Sequence, residues 1–241
     1  MRAAPSSLAK TPAGELMTRV SAIEGHTVWA RGYDEEINPL LALETRAAAQ
    51  FLDPVPFRCF VDVACGTGRW MRYLHANGGI AFGSDVCEAM LRVAERKPGL
   101  RGKCVLAEAT LLPFTSGFAD LSLCSFAAGY FPDLALAARE IARVTRRRGR
   151  VVITDLHPIA LAAGWKRSFR VGATAYEIEH FKRSDEQFRS AGEHAGLELE
   201  EQLDVCFGEP ERALFKKAGK EDIFYEVSKI PAVWIGVWRK S

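Results

Sequence analysis

The chain has 241 residues, of which 48% are hydrophobic and 26% charged, and its formal net charge is +2. This length suits one sizeable α/β domain, and the composition is typical of a water-soluble globular protein. The small net charge gives no support to a nucleic-acid partner, and no apolar run approaches the roughly 20 residues that span a bilayer. We therefore predict a cytoplasmic protein without a membrane span and expect no nucleic-acid partner.

The six cysteines include no C-x-x-C pair, and the five histidines show no ligand-like spacing to each other or to cysteine. Most of the cysteines stand inside apolar, strand-like runs, where a reduced and buried thiol is the usual state. In a sequence, a zinc site is usually indicated by the spacing of its ligands. We therefore expect free thiols and no metal site.

The N-terminal part of the chain is predicted to precede the main domain. Residues 1–15 lack the apolar centre of a secretion signal and are expected to form a flexible leader. Residues 16–57 are predicted to form a helical cap or lid, in which residues 38–51 carry an amphipathic helix. This helix is expected to pack over the sheet or over its ligand-binding end.

Strand-like and helix-like runs alternate from residue 58 to 156, the pattern of a parallel sheet covered on both faces. The predicted strands are 60–65, 80–84, 103–107, 118–126 and 151–155, and the predicted helices are 68–76, 87–97 and 133–146. The basic run at 146–150 is interpreted as the C-terminal end of the third helix, where the helix dipole favours cations. The alternative is that these basic residues bind nucleic acid, and we prefer the helix-end interpretation because it explains the run without a partner.

The pattern changes after residue 156. Residues 165–170 and 174–180 flank Val-Gly-Ala and predict a β-hairpin inserted within residues 157–183. A capping box from Ser184 to Gln187 opens a helix that ends at Gly196. The remaining segments are predicted as a half-exposed strand over 197–207, a helical excursion over 209–220 and a last strand over 231–238. Residues 58–241 are thus expected to form a single seven-stranded core.

A glycine-rich turn, Ala64-Cys-Gly-Thr-Gly68, follows the first predicted strand. Without a Cβ, Gly66 and Gly68 let the main chain approach a ribose or phosphate closely. The fingerprint of nicotinamide-dependent dehydrogenases would need a third glycine at Met71. Ligands of open parallel sheets bind beyond the carboxyl ends of the strands, and the acid that follows the second strand, Asp85, can accept hydrogen bonds from vicinal ribose hydroxyls.

Motifs in four successive segments then point to one family. They are Val61-Asp-Val-Ala-Cys-Gly-Thr-Gly68, Gly83-Ser-Asp85 with Met90-Leu91, Glu108-Ala109 before Leu112-Pro113-Phe114, and Phe118-Ala-Asp120. The helix pattern Arg139-Glu-Ile-Ala-Arg-Val144 and the turn Arg148-Gly149 follow in the expected order. In these motifs the chain resembles the class I S-adenosylmethionine (SAM)-dependent methyltransferases of the small-molecule type, and in pattern the quinone-biosynthesis methyltransferases.

The resemblance implies a three-layer Rossmann-like methyltransferase fold. Its sheet would be mostly parallel, with seven strands and an antiparallel last strand, an N-terminal helical cap and an inserted β-hairpin. SAM is the implied cofactor and a small molecule the implied methyl acceptor. The cofactor-binding residues that the resemblance implies are Tyr33, Asp62, Ala64, Gly66, Asp85, Val86, Glu108, Ala109 and Ser125. Many relatives have glycine where this chain has Ala64.

Methyl transfer needs a base only if the acceptor carries a proton at the reacting pH. His157 follows the fifth predicted strand and titrates near neutrality, which makes it the candidate catalytic base. Its alternative role is to hydrogen-bond the backbone and shape the turn before Pro158.

Aromatic and basic residues on the predicted hairpin could cover a flat or apolar methyl acceptor. An acidic group of this acceptor would then lie near a cation of the hairpin. The alternative is that the apolar face of the hairpin only packs on the sheet. The candidate substrate residues are Trp29, Tyr130, Trp165, Lys166 and Arg170.

We therefore predict a SAM-dependent methyltransferase that acts on a small, aromatic or lipophilic metabolite, with oxygen favoured over nitrogen, sulfur and carbon as the acceptor atom. The alternative is a SAM-binding regulatory or partner protein without catalysis. The sequence leaves the acceptor, its pathway and a homodimeric state open.

Overall fold

The computed structural model describes residues 17–52 and 59–241, which form an α/β arrangement. Its strands are β1 Thr18–Val20, β2 Cys59–Val63, β3 Ile80–Asp85, β4 Cys104–Leu106, β5 Ala119–Ser125, β6 Thr145–Leu156, β7 Ser168–Val171, β8 Thr174–Ile178, β9 Leu197–Val205 and β10 Val233–Lys240. Its α-helices are α1 Ala22–Trp29, α2 Pro39–Leu52, α3 Arg69–Ala76, α4 Glu88–Ala94, α5 Leu134–Val144, α6 Pro158–Ala162, α7 Asp185–His194, α8 Glu209–Lys217 and α9 Phe224–Val227. The predicted leader, residues 1–15, lies outside the described residues.

Seven strands form the main sheet in the order β4-β3-β2-β5-β6-β10-β9. The first five of these strands run parallel to one another, whereas β10 is antiparallel to both β6 and β9. The order reverses between β2 and β5, which is where an open parallel sheet places its ligand. The predicted Rossmann-like sheet with an antiparallel last strand is confirmed.

Apolar side chains cover both faces of this sheet and produce three layers. One cluster packs α2 and α3 on one face, with Leu43 and Trp70 among its buried members. The second cluster packs α5 and α7 on the other face, with Ile141 and Phe188. Strand β2 is buried along almost its whole length because it lies in the middle of these layers. The carboxyl end of this buried strand is therefore held from both faces of the sheet.

The basic run at 146–150 does not end a helix, and this interpretation was wrong. Helix α5 ends at Val144, and residues 145–156 belong to β6. Thr145 pairs with Ala119 of β5, so the chain enters the sheet directly after the helix. Arg146 then donates from Nε to Asp120 Oδ1 at 2.6 Å. The basic run therefore belongs to β6, which pairs with β5, although the sequence pattern attributes it to the helix.

The predicted inserted hairpin is present as β7 and β8, but β1 adds a third strand that the sequence did not predict. Strand β1 pairs in parallel with β8, and the small sheet packs against α1. The indole of Trp29 stacks on Phe169 at a centroid distance of 4.7 Å. The hairpin thus packs against the N-terminal cap, and its aromatic residues anchor α1.

Capping boxes mark the starts of two helices, α7 and α1. The box from Ser184 to Gln187, predicted from the sequence, opens α7. A second box from Ser21 to Glu24 opens α1. In residues 17–52 and 59–241, none of the helices has the length and apolar character needed to cross a membrane.

Candidate active site

A cavity of about 430 Å³ lies at the carboxyl edge of the main sheet. Val63 of β2 pairs with Ser84 of β3 on one side and with Cys124 of β5 on the other. The residues that follow these three positions therefore leave the sheet at the same edge. This volume falls within the roughly 300–1,000 Å³ of typical small-molecule sites.

Two walls enclose the cavity. The sheet wall consists of residues from 62–70, 85–90, 107–110 and 125–132, and the cap wall consists of residues from 21–26, Tyr33 and Leu41. The sheet wall contains the loops that follow the parallel strands, while the cap wall comes from α1, the segment between α1 and α2, and the first turn of α2. A ligand in this cavity would touch both.

The turn after β2 is held in a left-handed backbone conformation at three positions. The φ angles of Ala64, Gly66 and Gly68 are 57°, 55° and 76°. Cys65 N donates to Ser84 O at 2.9 Å and fixes the turn beside β3. A Cβ added at Gly66 would meet nothing within 4 Å, so the main chain faces open space there. The turn can accept a ligand against bare backbone.

Asp85 is fixed by the turn that it faces. Its Oδ2 accepts from Gly66 N and its Oδ1 from Cys87 N, each at 2.8 Å. Burial raises the pKa of Asp85, and the two backbone hydrogen bonds offset part of this rise. A carboxylate offers about four acceptor directions, so others remain for a ligand.

Asp62 is a buried carboxylate with an unused acceptor. It is 2% exposed and lines the cavity, and its Oδ1 has no hydrogen-bond partner among the described residues. Burial raises its pKa well above the ordinary value, while the charge of Arg69 lowers it. Buried polar atoms are almost always paired. This oxygen is therefore a candidate acceptor for a hydrogen bond from a ligand.

The structure brings all of the predicted cofactor-binding residues into one lining. Tyr33, Asp62, Ala64, Gly66, Asp85, Val86, Glu108, Ala109 and Ser125 all border the cavity. The first of these lies on the cap wall and the others on the sheet wall. Their common location agrees with the sequence prediction, and their contacts with a ligand stay a prediction.

His26 of α1 also lines the cavity and was not assigned a role from the sequence. Its Nδ1 lies 2.7 Å from Ala22 O, so this nitrogen donates and Nε2 carries the lone pair of the neutral ring. The ring stands edge-on to Tyr130 at 5.3 Å. Burial lowers the pKa of His26, and the charge of Asp85 acts in the opposite direction. The site thus contains a neutral imidazole at pH 7.

His157 lies elsewhere, at the start of α6. Its Nδ1 accepts from Ile159 N at 3.1 Å, and its Nε2 is 3.0 Å from Asp204 Oδ1. The side chain is buried and does not border the cavity. These contacts match its alternative role, a histidine that shapes the turn before Pro158.

Among the five predicted substrate residues, Tyr130 lines the cavity and the other four do not. Trp29 is buried against Phe169, and Trp165 stacks on Phe207 at 6.3 Å. Lys166 pairs with Glu177 at 2.6 Å. Arg170 lies on β7 of the small sheet. The hairpin therefore packs against α1 of the cap wall, and no residue of β7 or β8 borders the cavity.

The comparisons with known proteins agree with this geometry. A family model described as a methyltransferase domain matches residues 61–153. A demethylmenaquinone methyltransferase of Corynebacterium kroppenstedtii is 32% identical over 110 residues, which cover 46% of this chain and 47% of that protein. Nocamycin O-methyltransferase of Saccharothrix syringae is 30% identical over 141 residues, 55% of this chain and 50% of that protein. The chain thus spans about half the length of the curated relatives that it matches.

A crystal structure of a SAM-dependent methyltransferase from Mesorhizobium loti has the same fold, with a TM-score of 0.63 at 20% identity. The match covers 83% of this chain and 100% of that chain. Over the matched residues this chain is therefore similar in sequence to methyltransferases, and its fold is that of SAM-dependent methyltransferases. The family resemblance inferred from the motifs is confirmed.

The residues of the site fit SAM, the cofactor of the methyltransferases that share this fold. The bare turn at Gly66 leaves room for the ligand, and the two buried acids supply acceptors for hydroxyl and ammonium groups. SAM contains a ribose diol, an α-ammonium group and a positively charged sulfur, each of which suits a carboxylate neighbour. In the described part of the chain, no cluster of three or more His, Cys, Asp or Glu side chains could hold a metal ion.

Proposed function

We propose that this protein is a SAM-dependent methyltransferase that methylates a small, aromatic or lipophilic metabolite, with oxygen as the favoured acceptor atom. The observation that carries the proposal is the composition of the cavity. Its sheet wall holds acids, an open glycine turn and the rings of Phe126, Tyr130 and Phe131, and its cap wall adds Tyr33 and a neutral histidine. The acids and the turn suit the cofactor, and the rings and the histidine suit an apolar acceptor with an acidic proton.

On the sheet wall, Asp85 would accept from the ribose hydroxyls and Asp62 from the α-ammonium group. Val86 would pack on the adenine, while Glu108 and Ala109 would meet its amino edge. When bound, SAM would supply a methyl group on a positively charged sulfur, which would leave as a neutral thioether when the S–CH₃ bond breaks and the acceptor takes the methyl group. The protein contributes alignment of the two reactants, which can account for much of the rate of such a displacement.

The acceptor would lie against the ring-lined part of the cavity. Tyr33, Phe126, Tyr130 and Phe131 all border it. Burial raises the pKa of both tyrosine hydroxyls, so they stay protonated and can donate hydrogen bonds at neutral pH. A flat, partly polar molecule would find both ring faces and hydroxyl donors here.

For the proton of an O–H acceptor, we propose His26 as the base in place of His157. His26 lines the cavity with its Nε2 unprotonated, whereas both ring nitrogens of His157 are used at the α6 start. As the new O–CH₃ bond forms, the O–H proton would pass to Nε2 of His26. The negative charge of Asp85 favours the resulting imidazolium.

The name of one relative supports an aromatic or lipophilic acceptor, and the name of another supports oxygen as the acceptor atom. One acts on demethylmenaquinone, a quinone, and the other is an O-methyltransferase. Because each matches this chain over about half of its length, the acceptor of this protein stays a proposal.

Calorimetry with SAM and with its demethylated product, S-adenosylhomocysteine (SAH), tests the cofactor. We expect both to bind at micromolar concentration and expect Asp85→Ala to weaken both. Lack of binding by the wild-type protein at high micromolar concentration would contradict the proposal.

Transfer of a radiolabelled methyl group from SAM into a metabolite extract tests catalysis. A labelled product would identify the acceptor, and treatment with hydriodic acid, which releases the methyl group of an ether but not one bound to carbon, would distinguish O-methyl from C-methyl products. Binding of SAM without a labelled product would favour the alternative, a regulatory or partner protein without catalysis.

A further inference from the structure

Glu44 is a carboxylate at the apolar interface of α2. It is 0% exposed and follows Leu40 and Leu43 on the buried face of this helix. Its Oε1 accepts from Ser125 Oγ and from Thr154 Oγ1, each at 2.7 Å. A buried charge is costly unless it is paired and hydrogen-bonded. So many donors around one carboxylate indicate a site built to hold a charge in place.

The cation that pairs with Glu44 is Arg69, the first residue of α3. Arg69 Nη2 donates to Glu44 Oε2, and Arg69 Nη1 donates to Thr45 Oγ1 at 2.6 Å. The guanidinium also lies over the ring of Trp70 at 4.7 Å. A cation is unfavourable in the first turn of a helix because the N-terminal end of the dipole is positive. Glu44 offsets this cost and fixes the side chain.

Arg69 keeps hydrogen-bonding capacity toward the cavity. A guanidinium has five N–H donors, and the bonds to Glu44, Thr45 and Ser125 use three of them within residues 17–52 and 59–241. Its side chain is 27% exposed and borders the cavity. It can therefore bind an anion without leaving Glu44.

The place of Arg69 along the cavity indicates which anion. It contacts Ser125 at the end of β5, whereas Val86 and Glu108 follow β3 and β4. Because the sheet order is β4-β3-β2-β5, Arg69 and the proposed adenine contacts lie on opposite sides of the β2 turn. Arg69 is the only arginine or lysine in the described lining.

We propose that Arg69, positioned by Glu44, binds the α-carboxylate of the methionine moiety of SAM. The planar fork of arginine matches a carboxylate, which is the only anionic group of this cofactor. The inference rests on the proposed function and adds a cofactor contact that the motifs did not assign. Glu44 acts through Arg69 and is a positioning residue.

The test compares SAH with 5′-methylthioadenosine, which keeps the adenosine and thioether but lacks the amino-acid part. By calorimetry, Arg69→Met should weaken SAH binding about 10- to 100-fold, the range for charge-assisted hydrogen bonds. Affinity for 5′-methylthioadenosine should stay within about threefold. Unchanged SAH affinity, or an equal loss for both compounds, would overturn the proposal.

The fold of the variant needs its own control, since Arg69→Met leaves Glu44 buried without a cation. The double variant Glu44→Gln/Arg69→Met removes both charges and should regain melting temperature without regaining SAH affinity. Recovery of SAH affinity in the double variant would reject Arg69 as a ligand.

Arg46→Met is a matched control, because Arg46 of α2 also pairs with a buried glutamate, Glu211, at 2.7 Å. Arg46 does not border the cavity, so both affinities should be unchanged. A wild-type protein that binds neither SAH nor 5′-methylthioadenosine would instead refute the proposed function and this inference with it.

Discussion

The two walls of the cavity are built in different ways. On the sheet wall, the key acid Asp85 is fixed by backbone N–H groups of the adjacent turn and of Cys87, the residue before α4. On the cap wall, His26 and Tyr33 come from a short helix and the segment after it, held by ring contacts to Trp29. Asp34 joins the walls by accepting from Thr67 Oγ1 at 2.7 Å. In the proposed function, the acids of the sheet wall bind the cofactor, and His26 and Tyr33 of the cap wall face the acceptor together with the rings that follow β5.

The largest expected effect comes from His26→Gln on the cap wall. Loss of a general base lowers turnover about 100- to 10,000-fold, while SAH affinity should hardly change. The comparison would use initial rates on the acceptor identified by radiolabelled transfer, with His157→Gln as the matched histidine outside the cavity. Equal losses in both variants would contradict the separate roles of the walls.

The pH dependence of the wild-type rate provides a second test of His26. Burial lowers its pKa below the ordinary 6.5, and the base must be neutral to take a proton. The rate should therefore be constant near neutrality and fall only at pH values below 6.5. An acid limb centred above pH 7 would exclude this histidine.

Trp29→Ala tests what supports the cap wall. Trp29 is 8% exposed, stacks on Phe169 and stands edge-on to Tyr33 at 4.7 Å. Its truncation should lower the free energy of unfolding by about 3–5 kcal/mol, as for other large core aromatics. Urea unfolding measures this loss. Residual folded protein should still bind SAH, because the sheet wall does not depend on this indole.

Asp62→Asn should separate stability from binding on the sheet wall. Burial raises the pKa of Asp62, so the folded state becomes less favourable as pH rises through that pKa and the carboxyl must ionise. The asparagine variant does not ionise, and its free energy of unfolding should exceed that of the wild type by about 1–3 kcal/mol at pH 8. The difference should shrink toward pH 4. SAM affinity should fall, since an amide accepts more weakly from an ammonium group.

The smallest expected effect is that of Ala64→Gly. A left-handed backbone costs a residue with a Cβ about 1–2 kcal/mol, and Ala64 has a φ of 57°. Glycine relieves this strain but has about 0.5–1 kcal/mol more entropy to lose on folding. We expect a net gain within about 1 kcal/mol in unfolding free energy and unchanged SAM affinity. A clear loss of stability would show that the methyl group packs usefully in the turn.

The sheet wall was predictable because its signals are local. The apolar run of β2, the glycine turn and Asp85 each follow from period and position, and the structure brings them together. The cap wall was not predictable in the same way. Helix α1 buries only Gly25 and Trp29, so its sequence has almost no apolar face, and β1 has three residues.

The pair Glu44 and Arg69 shows where sequence reasoning could have gone further. An acid on the apolar face of α2 and a cation at the start of α3 each contradict a local rule, and together they are complementary. By contrast, the position of His157 after β6 was read correctly, yet its ring turns into the α6 start. Position in a loop does not specify the direction of a side chain.

Strand β10 lies between β6 and β9, although it follows both in the chain. During synthesis on the ribosome, β6 must therefore present an unpaired edge until residues 233–240 have left the exit tunnel. An exposed strand edge is a template for pairing with other chains. In the folded sheet this edge of β6 is covered by the antiparallel pairing of β10.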